Sequence, residues 1–177
     1  MVAIGPYMLV FRILHITAGV AWAGSVFLFA VFIQPSAAAV APTAGPFMME
    51  LLGKRKLVAW LLSMAGTTVV AGLFLYWKDW HVYASLGDFV SSGPGLAFTL
   101  GGIAGIGAFL VGLLGTRPNV ARLLDLSARA AASEGAPPPE VAQEIPRVQA
   151  RLKSLARFAL ALIGLAVLAM STARYWG

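Results

Sequence analysis

The sequence predicts an all-α integral membrane protein: a four-helix bundle with its N and C termini on the outer, periplasmic side. Three observations predict it. The 177 residues are 59% hydrophobic and only 11% charged, where a soluble domain carries about 25% charged residues. Four separate stretches approach the roughly 20 apolar residues that a spanning helix requires. The cations are distributed very unevenly between the connections, and basic loops face the cytoplasm.

The first span is expected from about Tyr7 to Ile33, with no charge after Arg12. Because Arg12 is the first cation, no basic stretch precedes the apolar run, and the segment reads as a span rather than a secretory signal. The second span is expected over Leu57–Trp77 and the third over Gly95–Gly115. The fourth, over Arg157–Tyr175, has a short uncharged part, so Arg157 and Arg174 are expected to snorkel to the two interfaces. One domain accounts for the whole length.

Orientation follows from the basic residues. Lys54, Arg55 and Lys56 follow the first span; Arg117, Arg122, Arg129, Arg147, Arg151, Lys153 and Arg157 lie between the third and fourth. Both connections fall on one side and hold ten of the thirteen cations, which makes that side cytoplasmic. Tyr7, Tyr76, Tyr83 and Tyr175, with Trp77, Trp80 and Trp176, fall at the other interface, where rings with a polar tip prefer to sit.

The connections carry some structure. Pro35 and Pro42 are expected to break the chain, with a short interfacial helix over Phe47–Leu52. Asn119–Ala132 pairs leucines 123, 124 and 126 with Arg122, Asp125 and Arg129, the pattern of an amphipathic helix at the cytoplasmic surface. Gly135 and prolines 137–139 form a stiff break, and Pro146 an early turn or kink in the helix that runs into the fourth span. In the third span, Gly101 and Gly105 form a GxxxG pair, read first as tight packing within the bundle.

Several function classes are excluded or demoted. Cysteine is absent, so disulfides, thiolate metal sites and cysteine nucleophiles are excluded. The net charge of +6 belongs to membrane loops, so nucleic acid is not an expected partner. No acidic residue falls in an expected span, with Asp79 and Asp88 assigned to the outer loop.

The two histidines carry the chemistry. His15 lies inside the first span, and an ionisable group at that depth is a functional candidate. Arg12, Gly19 and Trp22 share its helical face. His81 follows the second span and is expected at a similar depth. A haem b held by both imidazoles would suit this arrangement, with Gly19 giving a flat macrocycle or a neighbouring helix room, and Arg12 and Arg174 pairing its carboxylates. Met170 is the fallback ligand.

The run Leu14-His-Ile-Thr-Ala-Gly-Val-Ala-Trp-Ala-Gly24, continuing to Phe29, resembles the first membrane helix of a loose superfamily of four-helix bacterial membrane proteins. That group comprises copper-resistance D-like proteins, HemJ-type protoporphyrinogen oxidases and the membrane domain of membrane-bound urate oxidase. The shared pattern falls on Leu14, His15, Trp22 and Gly24, and Met170–Tyr175 is similar to the last helix of such proteins. The resemblance implies a haem b with His15 as a ligand.

The leading expectation is therefore a haem b protein of a bacterial inner membrane. It would carry electrons near the outer face between a quinone and an external acceptor, as a subunit or partner of a larger redox system. A non-catalytic accessory subunit is the alternative. A third is copper or other metal handling through His15, His81 and Met170, with Met64 deeper in; the lack of cysteine argues against it.

Overall fold

The computed structural model describes residues 5–41, 43–133 and 135–177, and their regular structure is helical throughout. The expected break at Pro42 lies outside the described residues. Four helices are long and apolar enough to cross a membrane: α1 (Pro6–Ala39), α3 (Leu57–Trp80), α5 (Gly93–Ala131) and α6 (Pro139–Tyr175). Two short helices lie between them, α2 (Gly45–Met49) and α4 (Leu86–Ser91).

Local signals account for the helix starts. Pro6 occupies the first turn of α1, where its missing N–H is an orphan in any case. Ser85 caps α4 by accepting from the Asp88 N–H at 3.1 Å, and its own hydroxyl donates to the Asp88 carboxylate at 2.8 Å. Ser92 caps α5 by accepting from the Gly95 N–H at 3.1 Å.

Pro35 does not break α1. A π-helical turn over Phe29–Ile33 precedes it, closed by the Gln34 N–H to the Phe29 carbonyl, and α-helix resumes at Gln34. A second π-turn, Val111–Thr116, stands just before Arg117-Pro118 in α5. A proline ring clashes with the carbonyl four residues back, and the wider π-turn displaces that carbonyl. Both helices thus continue past a proline, and at Pro35 this replaces the expected break.

These continuations change the basic connection between the third and fourth spans. The amphipathic segment is the distal part of α5 and not a separate surface helix. Its Val120 and Leu126 are buried with Val141, Val148 and Leu152 of α6 and with Leu52, which follows α2. Helix α6 runs through Pro146 without interruption. The distal parts of α5 and α6 form a two-helix stalk with its own apolar core. Arg122 ties it together, donating to Glu144 at 2.9 and 2.8 Å. That hydrogen bond holds the Glu144 carboxyl below its ordinary range.

The apolar part of the bundle packs through small residues. Ala18, Ala65, Ala71, Ala97, Ala104, Ala108, Ala159, Ala166 and Ala169 are buried, while Leu9, Val20, Val70, Ile103 and Leu168 are exposed on the outside. This is the pattern of helices that pack in lipid, where apolar side chains gain little by facing inward and close backbone approach gains more. Helices α1 and α3 form one tightly packed pair, and α5 and α6 form another.

The two glycines of the GxxxG pair do different things. A Cβ on Gly101 would stand 2.7 Å from Met170 Cγ and 3.2 Å from the Ala166 carbonyl oxygen, so this glycine seats α6 on α5. A Cβ on Gly105 would meet nothing within 4 Å. Gly101→Ala is expected to destabilise the bundle by about 1–3 kcal/mol through overpacking. Gly105→Ala is expected to be neutral, or stabilising by up to about 1 kcal/mol of helix propensity. Unfolding of the two variants in detergent checks the ordering; an equal loss at Gly105 would contradict it.

Candidate functional site

A cavity of about 580 Å³ lies between the α1–α3 pair and the α5–α6 pair. One wall carries His15, Gly19, Thr68 and Gly72; the other carries Gly102, Gly105, Ala166 and Met170. Ile16 and Val167 line it where α1 meets α6, and Leu73 and Ile103 line it where α3 meets α5. All four are more than half exposed, so the cavity is a slot that reaches the lipid-facing surface at two seams.

Both ends of the slot are closed by contacts across it. Towards the stalk, Trp22 clusters with Ala65, Ala108 and Ile163 and forms a floor. Towards the termini, the Tyr76 hydroxyl and Thr99 Oγ1 are 2.8 Å apart. The Thr99 hydroxyl already donates to the Gly95 carbonyl at 2.7 Å, so Tyr76 is the donor in the bridge. Ala65 and Tyr76 are eleven residues apart on α3, which leaves about 16 Å of helix between floor and bridge. Arg12 and Asp79 line the slot at its terminal end.

His15 is the imidazole of the slot. Its Nδ1 lies 2.8 Å from the Thr68 carbonyl oxygen. A carbonyl only accepts, so Nδ1 carries the proton and, in the neutral ring, Nε2 holds the lone pair. This is the arrangement that orients histidine ligands, in which the outer nitrogen donates and the inner one binds. The contact depends on Gly72: a Cβ there would stand 2.9 Å from His15 Nδ1 and 2.8 Å from Cε1. Gly19 completes the approach, its missing side chain facing Thr68 Cγ2 at 3.4 Å.

The structure sorts the residues expected from sequence. Arg12, His15, Gly19, Trp22 and Met170 come together around the slot. His81 and Arg174 do not line it. The His81 Nδ1–H donates to the Trp77 carbonyl of its own helix at 2.6 Å, and the ring packs on Trp77 and Trp80. It lies nine residues, about 13 Å, beyond Gly72 along α3, so the two histidines do not share a depth. The Arg174 guanidinium instead lies over the Tyr175 ring at 5.0 Å.

Five residues of the site escaped the sequence reading: Thr68, Gly72, Tyr76, Asp79 and Thr99. Asp79 belongs to the last turn of α3 and not to the loop, and Tyr76 turns into the bundle. Thr68, Gly72, Tyr76 and Asp79 fall at spacings of four, four and three, one face of a helix. That stripe of polar and small residues in an apolar span was the available signal.

Among the described residues, no group of three or more His, Cys, Asp or Glu side chains could hold a metal ion. The lining itself offers the His15 imidazole, the Asp79 carboxylate and the Met170 thioether. The slot's volume falls in the range of ligand pockets, about 300–1,000 Å³, and a largely apolar lining with a few convergent polar groups is their usual character.

Fold and site define a class, a helical bundle with four helices long and apolar enough to cross a membrane and a largely apolar slot between its two helix pairs. No family model, curated protein or solved structure matches the chain.

The role of Gly72 is open to a direct check. Gly72→Ala is expected to push the His15 ring away from the Thr68 carbonyl. Nitrogen NMR of histidine-labelled protein should then show the single Nδ1–H tautomer of the parent give way to a mixture. An unchanged His15 signal would contradict the geometry.

Proposed function

We propose that this chain is a small haem b-binding membrane protein that transfers electrons near its outer face. The observation that carries the reading is His15: a ring with its Nδ1 proton committed to a backbone carbonyl and its second nitrogen left to bind, in the wall of a slot bounded by glycines on both sides. Such a group, when bound, supplies reversible one-electron transfer.

The residues fit that ligand in specific ways. His15 Nε2 would hold the haem iron, raised in basicity by the hydrogen bond at Nδ1. Arg12, which makes no ion pair among the described residues, would hold a propionate at the terminal end of the slot. The Trp22 floor would keep the far edge dry. Gly102, where an added Cβ would meet nothing within 4 Å, would present bare backbone to the macrocycle face. His81 and Arg174 have no part in this reading.

The setting follows from charge. Ten of the thirteen cations lie on the stalk side, which would place the stalk in the cytoplasm and the termini outside. Electrons would then pass between a membrane quinone and an external acceptor in a bacterial plasma membrane. The stalk exposes Arg147, Arg151, Lys153 and Arg157 without ion pairs among the described residues, a surface suited to a subunit of a larger redox system.

Purified protein is expected to show a Soret band at about one haem per chain, and His15→Ala to lose most of it while His81→Ala keeps it. Full haem content in His15→Ala, or no Soret band in the parent even after haem is added, would overturn the reading.

A further inference from the structure

The haem reading leaves the second axial position unassigned, and the geometry of the slot points to an occupant. We infer that Met170 is the second axial ligand, making this a His–Met haem site; the inference rests on the haem reading above.

His15 belongs to the α1–α3 wall and Met170 to the α5–α6 wall, so the two side chains face the slot from opposite sides. A planar macrocycle lying in a slot offers its iron one axial position towards each wall. The candidate for the second position must therefore come from α5 or α6.

Depth agrees. Phe11 stacks on Phe74 with ring centroids 3.9 Å apart, one turn of α1 from His15. Tyr76 is level with Thr99 through their hydrogen bond. Gly101, two residues deeper on the antiparallel α5, therefore stands near the level of Phe74, and Met170 lies directly against Gly101. Met170 and His15 are thus within about one helical turn, roughly 5 Å, along the bundle axis. That offset is within the reach of a methionine side chain, which has three rotatable bonds beyond its backbone.

Gly101 also fixes the path of the side chain. A Cβ there would stand 2.7 Å from Met170 Cγ and 3.2 Å from Cε, so the whole side chain lies along bare α5 backbone at the wall of the slot it lines. The donors on that wall narrow the choice further. Gly102, Gly105, Ile106, Phe98, Ile163, Ala166 and Val167 offer no ligand atom, and the Thr99 hydroxyl is committed to Gly95. The thioether sulfur of Met170 is the soft donor that remains. A His–Met pair raises the reduction potential relative to two imidazoles, which would make the site an electron acceptor from quinol rather than a low-potential donor.

The test compares purified parent, Met170→Leu and Met170→His. Leucine conserves volume, so the bundle should fold. The ferric parent is expected to be low-spin, with the far-red charge-transfer band of a thioether on iron. Met170→Leu should keep its haem, lose that band and turn high-spin. Met170→His should return to low-spin without the band, at a midpoint potential below that of the parent. A Met170→Leu protein with the parent's spectrum and potential overturns the inference and leaves His15 and the haem reading intact; so does loss of haem from both variants with His15 unchanged. A parent that binds no haem overturns the underlying reading instead.

Discussion

The hydrogen bond from His15 Nδ1 to the Thr68 carbonyl oxygen is the contact on which the site depends. It joins α1 to α3 at a point where both helices have given up side chains, Gly19 on one and Gly72 on the other. A polar ring in an apolar bundle must place its donor somewhere, since an unsatisfied N–H in such surroundings costs several kcal/mol. Once the donor is placed on α3, the ring has one orientation and one tautomer. The neighbouring helix thus decides which nitrogen is left for chemistry.

The same logic of missing side chains shapes the rest of the bundle. Alanines and glycines draw α1 onto α3 and α5 onto α6, and the large aliphatic residues turn outward. Two tight pairs cannot also be tight against each other along their full length when glycines thin both facing walls. The pairs are therefore pinned at two levels, by the Trp22 cluster and by the Tyr76–Thr99 bridge, and part between them. The slot is what two well-packed pairs leave behind. Of its charged groups, Arg12 and Asp79 lie at its terminal end beside Tyr76, which makes the slot polar at that end and apolar towards the Trp22 floor.

The four apolar helices and the placing of His15 inside a span were legible in the sequence because hydropathy and the position of an ionisable group within an apolar run are local properties. Helix lengths were less so. The π-turns before Pro35 and Pro118 carry no composition signature, so Pro35 reads as a break and the third span as ending before the amphipathic segment. The destination of the amphipathic segment was hidden for a different reason: an apolar stripe suits a lipid surface or a protein surface equally, and only the facing valines and leucine of α6 decide. His81 was misplaced because its position after the second span said nothing about distance along α3. Met170 and Arg12 came out on the slot, while Arg174, only four residues from Met170, came out against Tyr175. Which face a side chain takes at a helix end depends on the last-turn geometry, here a tight 3₁₀ turn over Ala173–Tyr175.

The central claim is that His15 binds through Nε2 while Nδ1 stays protonated on α3. The chain has only two histidines, so a His81→Gln protein grown with nitrogen-15 histidine carries one labelled ring. Pulsed electron resonance of its haem-loaded ferric form should show strong coupling of the iron to one labelled nitrogen, with an exchange-resistant proton on the other. A haem-loaded protein whose iron shows no coupling to that ring would contradict the claim.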